Sequence, residues 1–207
     1  MSPKGESGPV GERTDEELMF LYRDGVEEAF TELVRRYRNK IVSTAYRVVG
    51  DYAKAEDVAQ ETFLRVHRNA DRYRSIAKFS TWIYTIALNV ARNELRNTKR
   101  KRLVSLEAFG RDSDSEPGTY DIPDETSRPD QDVEVRELRR IFNAAIKKLP
   151  PRYRTVFVLR DVQGLTYEEM AEILKVPKGT VKSRMNRARL KFRELIEPIL
   201  GESPVDR

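Results

Sequence analysis

The chain has 207 residues, with 39 Lys and Arg against 34 Asp and Glu, a formal net charge of +5 and no cysteine. That length holds one large domain or two small ones, and the lack of cysteine excludes a disulfide framework, a thiolate zinc site and a cysteine nucleophile. No apolar run approaches the roughly 20 residues of a membrane span, and Met1 to Arg13 lacks the apolar stretch of a signal peptide; a soluble cytoplasmic protein is expected, and the cationic excess suits a nucleic-acid partner without requiring one.

Residues 1–13 offer almost no apolar area to offset the entropy of ordering, and are expected to form a disordered tail. Thr14 followed by Glu17 is a capping-box pattern, which opens a short helix carrying Leu18, Leu21 and Tyr22. Val26, Phe30, Leu33, Val34, Tyr37 and Ile41 keep the helical period, and Gly50 is a plausible stop. Asp51 then caps a helix whose buried stripe is Ala55, Val58, Ala59, Thr62, Phe63 and Val66. The other side of that helix carries Asp57, Gln60, Glu61 and Leu64. An apolar centre with a polar rim is how a protein interface is built, although a solvated helix with one exposed Leu fits the spacing equally well.

A polar connection containing Tyr73, Arg74 and Lys78 leads to Ser80, the expected cap of a long helix. Ile83, Ile86, Ala87, Val90 and Leu95 can face its core, while Trp82, Asn89, Arg92, Asn93 and Arg96 fall on another side. Aromatic faces stack on bases, amides bond base edges and arginines hold phosphates, so this set suits single-stranded nucleic acid. A core tryptophan beside a solvated polar stripe is the alternative. Lys99-Arg100-Lys101-Arg102 adds phosphate affinity without sequence information.

From Glu107 to Glu134 the composition reverses: ten positions are Asp or Glu, only Arg111 and Arg128 are basic, and Pro117, Pro123 and Pro129 interrupt the run. Residues 103–134 are expected to be a flexible acidic linker, either a neutral spacer or an acidic mimic of nucleic acid. Val135, Leu138, Phe142, Ala145 and Leu149 begin a second helical unit, and Tyr153, Val156, Phe157 and Leu159 continue it.

Thr166 and Glu169 repeat the capping box ahead of Tyr167, Met170, Ala171 and Leu174. Lys175-Val176-Pro177-Lys178-Gly179 interrupts the helix, because Pro has no amide to donate and fits only the first turn of the next one. Val181, Met185, Ala188, Phe192 and Leu195 form the buried stripe of that next helix. Lys182, Ser183, Asn186, Arg187, Arg189 and Arg193 fill much of the remaining surface. Two helices across such a turn, the second basic, form a helix-turn-helix able to enter a major groove. The fold class is all-α: two small helical domains, 14–102 and 135–200, flanked by tails 1–13 and 201–207.

No local spacing forms an enzyme site. Glu56 and Asp57, or Glu168 and Glu169, are adjacent on a helix and point apart. His67 is the single histidine, and no phosphate-cradling Gly loop accompanies it. No catalytic residue, metal or other cofactor, and no small-molecule substrate, is expected.

Four motifs in this order resemble the extracytoplasmic-function sigma factors, the smallest two-domain bacterial sigma factors. They are Asp57-Val58-Ala59-Gln60-Glu61-Thr62-Phe63, Phe79-Ser80-Thr81-Trp82 through Asn89, Leu149-Pro150-Pro151-Arg152-Tyr153, and Leu165 through Ala171 with Gly179 through Arg184. The resemblance implies an initiation factor that binds core RNA polymerase and promoter DNA and answers to an anti-sigma factor. It implies a polymerase contact at Asp57, Gln60 and Glu61, with Leu64 in the same surface. Tyr73 and Asn89 would hold a base flipped from the -10 element, with Trp82, Arg92, Asn93 and Arg96 in the melting region. Lys178, Thr180, Lys182, Ser183, Asn186 and Arg187 would form the -35 recognition set. The acidic linker would thread the polymerase cleft. A stand-alone helix-turn-helix regulator is the competing reading, separated by whether the chain needs polymerase to act.

Overall fold

The computed structural model describes residues 9–109 and 133–200. Residues 1–8 of the expected N-terminal tail, the whole expected C-terminal tail 201–207 and most of the expected linker lie outside the described residues. All regular structure among the described residues is helical: α1 (Asp15–Arg23), α2 (Glu27–Val49), α3 (Tyr52–Arg68), α4 (Phe79–Phe109), α5 (Val133–Lys148), α6 (Pro151–Phe157), α7 (Tyr167–Leu174) and α8 (Lys178–Leu200). No helix among the described residues is long and apolar enough to cross a membrane.

Local chemistry sets most boundaries. The Thr14 hydroxyl accepts the Glu17 amide at 3.3 Å while the Glu17 carboxylate accepts the Thr14 amide at 2.8 Å, a pairing whose cap is worth about 1 kcal/mol. α2 ends at Gly50, whose φ of +84° is a left-handed C-cap that a Cβ would strain. Asp51 then caps α3 by accepting the Lys54 amide at 2.9 Å.

α4 departs from expectation at both ends. It starts at Phe79 rather than after a Ser80 cap, because the Glu16 carboxylate of α1 accepts the Phe79 amide at 2.8 Å. A carboxylate is the better partner there, since the positive end of the helix dipole favours an anion. At its other end α4 continues from Leu103 to Phe109, into the stretch expected to be linker. The expected disorder before Thr14 is also only partial. Val10–Glu12 forms a 3-10 turn, and Arg36 of α2 donates to the carbonyls of Gly11 and Arg13, each at 2.8 Å.

Phe79 is fully buried among the rings of Tyr37, Tyr73 and Trp82, at centroid distances of 5.2, 6.1 and 6.1 Å. Burying one such side chain stabilises by about 1.5–3 kcal/mol, and here it also locks the start of α4 against α2. Ile83, Ala87 and Val90 lie in the core as the period predicts.

In the second half, Pro150-Pro151 ends α5 and starts α6 with Pro at an N-terminal position that needs no donor. A π turn over Val158–Val162 follows, and the Gln163 amide closes it on the Val158 carbonyl at 3.0 Å. Thr166 and Glu169 form the second capping box. Lys175, at φ +53°, makes the turn from α7 toward α8. Val181, Met185 and Ala188 are fully buried beneath α8. α5 corrects one expectation: Val135 and Leu138 are 39 and 51% exposed, so its core begins further along, at Ala145, Ile146 and Leu149.

The two halves sit directly on each other. α4 contacts α7, and α2 contacts α5 and α6. Buried side chains of both form one contiguous core.

Candidate protein and nucleic-acid interfaces

On α3, Ala55, Val58, Ala59, Thr62 and Val66 are buried against the bundle. The helical period therefore turns Asp57, Gln60, Glu61 and Leu64 outward. Asp57 and Gln60 are exposed, Glu61 is half-buried and Leu64 is 47% exposed. Glu61 is steadied by Arg65 one turn later, at 2.7 Å. The result is a carboxylate and amide rim around an apolar contact point, held on a rigid helix.

The second surface is built where the end of α3 meets the start of α4. Tyr73 is only 2% exposed and donates its hydroxyl to the Ala77 carbonyl at 3.2 Å. Burial, seconded by Glu16 and Asp15, pushes its pKa up to about 12, so it stays a neutral donor. In this conformation Tyr73 braces the loop over residues 74–78 from below, while Ile76 at the tip of that loop is 93% exposed. Trp82 stands 5.1 Å from the Tyr73 ring and keeps part of its indole accessible.

Trp82, Ile86 and Asn89 of α4 then meet Arg65, Asn69 and Arg72 across a cavity of about 250 Å³, many times the roughly 30 Å³ share of one water. Asn69 donates its side-chain amide to the Arg65 carbonyl at 2.8 Å, which leaves its amide oxygen as an acceptor. An aromatic wall, two carboxamides and two guanidinium groups are the parts that hold an unstacked base and its phosphate.

Trp82 and Asn89 are thus brought together as the sequence predicts, and Tyr73 lies beneath them. Arg65, Asn69, Arg72 and Ile86 complete the cavity and were not among the predicted site residues. Arg65 and Asn69 share an i, i+4 spacing at the end of α3, a signal that could have placed them. Arg92, Asn93 and Arg96 line a separate cleft of about 670 Å³ whose far wall is Pro151 and Arg154 of α6. Asn89 borders both cavities.

The third surface is the outer side of α8. Lys182, Ser183, Asn186 and Arg187 are exposed and Thr180 is half-buried. Ser183 donates to the Thr180 carbonyl at 3.0 Å, leaving its lone pairs free to accept. Lys178 is tied to Glu168 of α7, and this bond holds the Glu168 carboxyl below its usual pKa. Arg187 lies near the Tyr153 phenol and, with Arg152, pulls its pKa down. Arg189 is committed elsewhere, forked onto Asp161 at 2.7 and 3.2 Å, and serves to fix α8 on the π turn. Short polar and cationic side chains at the exposed start of the second helix match the geometry that reads base edges in a major groove.

Residues 33–101 match the family model for Sigma-70 region 2, and residues 139–192 match that for Sigma-70, region 4. Curated relatives agree over nearly the whole chain. The RNA polymerase sigma-H factor of Pseudomonas aeruginosa is 33% identical over 91% of this chain and 97% of its own length. The ECF RNA polymerase sigma factor SigW of Bacillus subtilis is 35% identical, over 86% of this chain and 94% of its own. The ECF RNA polymerase sigma-E factor of Escherichia coli K12 is 35% identical, over 90 and 96%. Among solved structures, the sigma factor RpoE of Bartonella quintana, crystallised with the anti-sigma factor NepR, shares the fold at a TM-score of 0.62 and 24% identity, over 86% of this chain and 98% of its own. CnrH, solved with the cytosolic domain of CnrY, does so at 0.64 and 22%, over 90 and 99%.

Proposed function

The chain belongs to the extracytoplasmic-function RNA polymerase sigma factors, and from that premise we propose how its surfaces divide the work of starting transcription. It is a transcription initiation factor: it binds core RNA polymerase and directs it to promoter DNA. The polymerase supplies the chemistry, so this chain needs no catalytic group or cofactor of its own. It acts in the cytoplasm, with polymerase and DNA, and an anti-sigma factor is its expected regulator.

The observation that supports the assignment of faces is that one chain carries two polar, cationic surfaces of different shape. α8 offers a convex, cationic helix suited to duplex. The cavity beside Trp82 is concave, with an aromatic wall, and suits a base already out of the stack. We assign the first, with Lys178, Thr180, Lys182, Ser183, Asn186 and Arg187, to the -35 element. Asn89 and Trp82, with Arg65, Asn69 and Arg72 around them and Tyr73 as their support, take the flipped -10 base. Arg92, Asn93 and Arg96 hold the adjoining strand. Residues 14–102 are the domain for the -10 element, 135–200 the domain for the -35 element, and the acidic segment between them the thread through the polymerase cleft.

Stacking a captured base on an aromatic ring contributes about 1–3 kcal/mol, comparable with the few kcal/mol needed to unstack it. Capture therefore lowers the cost of the open state without altering the duplex itself. The Asp57, Gln60, Glu61 and Leu64 face brings this device to polymerase. Lys178 must exchange Glu168 for a phosphate, which costs little because both groups are exposed.

Permanganate footprinting with core polymerase tests the assignment. Unpaired thymines should appear upstream of the start site only when the chain and polymerase are both present. Protection of closed duplex by the chain alone, with no unpaired bases when polymerase is added, would instead identify a stand-alone regulator.

A further inference from the structure

We propose that the cleft between α4 and α6 binds a nucleoside polyphosphate, as an effector rather than a substrate, with its phosphates among five arginines and its base on an apolar shelf. The cleft has two adjoining lobes. The larger, of about 670 Å³, sets Arg92, Arg96 and Arg154 around Val48, Leu95 and Pro151. The smaller, of about 240 Å³, shares Arg92 and Arg154 with it and adds Arg152 and Arg184. No Asp or Glu lines either lobe. The larger lobe alone is within the roughly 300–1,000 Å³ of small-molecule sites.

Arg154 supplies a second, independent observation. It is half-buried, and each of its hydrogen bonds ends on a carbonyl: Val48 at 3.3 Å, Leu149 at 3.0 Å, and Lys147. Burial pulls its pKa down, with no carboxylate to offset that cost. A cation withdrawn from water and bonded only to neutral groups keeps its charge uncompensated, which is costly unless an anion pairs with it. A polyphosphate brings several negative charges into a small volume, and guanidinium groups hold phosphate through paired N–H donors.

The shape of the charge favours a small ligand. Arginines from α4, α6 and α8 converge on one volume, whereas a groove for a nucleic-acid strand spreads its charge along a track. Arg152 and Arg184 belong to neither surface assigned to promoter DNA. The shelf of Val48, Leu95 and Pro151 offers a base an apolar face, and Asn89 and Asn93 stand on the same lobe. Arg96 donates to the Asn93 amide oxygen, which leaves the Asn93 nitrogen to donate to a base edge. One consequence rests on the initiation-factor reading. Arg92, Asn93 and Arg96 hold unpaired DNA in that reading, so ligand and strand compete for them, and each weakens the other by the same factor.

Titration calorimetry and thermal unfolding of the free full chain with ATP, GTP and inorganic tripolyphosphate, at about 0.15 M salt, test the site without polymerase. A nucleotide should bind at one site and raise the melting temperature by about 5 °C or more at roughly a hundredfold excess over its dissociation constant. Tripolyphosphate should bind about tenfold or more weakly, because it leaves the apolar shelf empty. Arg152→Gln combined with Arg184→Gln should weaken nucleotide binding about tenfold or more. Thr155→Glu, which sets a carboxylate in the smaller lobe and leaves every arginine in place, should do the same even if the double variant fails to fold. Lys182→Ala, on the outer side of α8, should leave nucleotide binding unchanged. No binding of either nucleotide, equal binding of tripolyphosphate, or binding that survives both cleft variants overturns the site. With core polymerase, nucleotide should slow promoter opening by the wild-type chain and spare the double variant, and equal slowing of both overturns the competition. A chain that binds nucleotide yet never opens a promoter would overturn the initiation-factor reading while supporting the site.

Discussion

The carboxylate of Glu16, in α1, accepts the backbone amide of Phe79, the first residue of α4, across 63 positions of sequence at 2.8 Å. α1 thereby sets where α4 begins, and with it the placement of Tyr73, Trp82 and the loop between them. Glu16→Ala should cost about 1 kcal/mol, as the loss of a helix cap does, and lower the melting temperature by about 2–4 °C. Glu16→Gln, which keeps an acceptor oxygen, should lose less. Thermal unfolding followed by circular dichroism checks both.

Asn89 is exposed on α4 and borders the cavity beside Trp82. Asn89→Ala should leave the melting temperature within a degree or so while slowing promoter opening about tenfold or more, equivalent to about 1.4 kcal/mol of lost base capture. Fluorescence of 2-aminopurine placed in the -10 element, read against time, separates this step from polymerase binding.

On α8 two substitutions should behave differently. Arg187→Ala should weaken binding to the preferred -35 sequence by about 1–3 kcal/mol and relax discrimination at one base position. Lys182→Ala should weaken all sequences alike, and lower the salt dependence by about one phosphate's worth of counterion release. Affinities of the holoenzyme for a panel of -35 duplexes at several salt concentrations distinguish them.

Glu32 lies between Arg35 and Arg36, bonded to each at 2.7 Å. Hydrogen bonds from those two guanidinium groups hold its carboxyl down from 4.5 to about 2. A carboxyl depressed on folding contributes stability that is fully present above its unfolded pKa, and loses it as pH falls through the folded one. Stability should therefore decline between about pH 4.5 and 2. Glu32→Gln should flatten that acid limb, as measured by denaturant midpoints across the range. Arg36 also binds Asp15 and the Gly11 and Arg13 carbonyls, so the same acid range should loosen the N-terminal turn.

What was legible in the sequence was local. Both capping boxes, the Asp51 cap, the Gly50 stop and the Pro177 restart depend on residues within a turn of one another, and each appears where its chemistry requires. The buried stripes of α3 and α8 follow for the same reason. The packing of the two halves on each other was not legible. Tyr84, Leu88 and Ala91 are buried on α4 as well as Ile83, Ala87 and Val90, and periodicity cannot say that a helix is covered on more than one side. The Tyr84–Gln163, Lys147–Tyr46 and Arg154–Val48 contacts join residues 79, 101 and 106 positions apart, beyond the reach of any local pattern. Val135 and Leu138 keep the helical period yet extend past the core, since spacing gives a face but not how much of it is covered. Likewise Arg72 comes from a connection with no period at all, and only the fold brings it to Trp82.

The most direct test of the account is mapping of transcription start sites with purified core polymerase on a genomic DNA library, with the wild-type chain and Leu64→Arg compared. Discrete new start sites sharing a -10 and a -35 sequence should appear with the wild-type chain. They should vanish with Leu64→Arg, whose exposed position leaves the fold intact. An absence of new start sites with the wild-type chain, or start sites that survive Leu64→Arg undiminished, would contradict the central claim that the α3 face delivers a promoter-reading factor to polymerase.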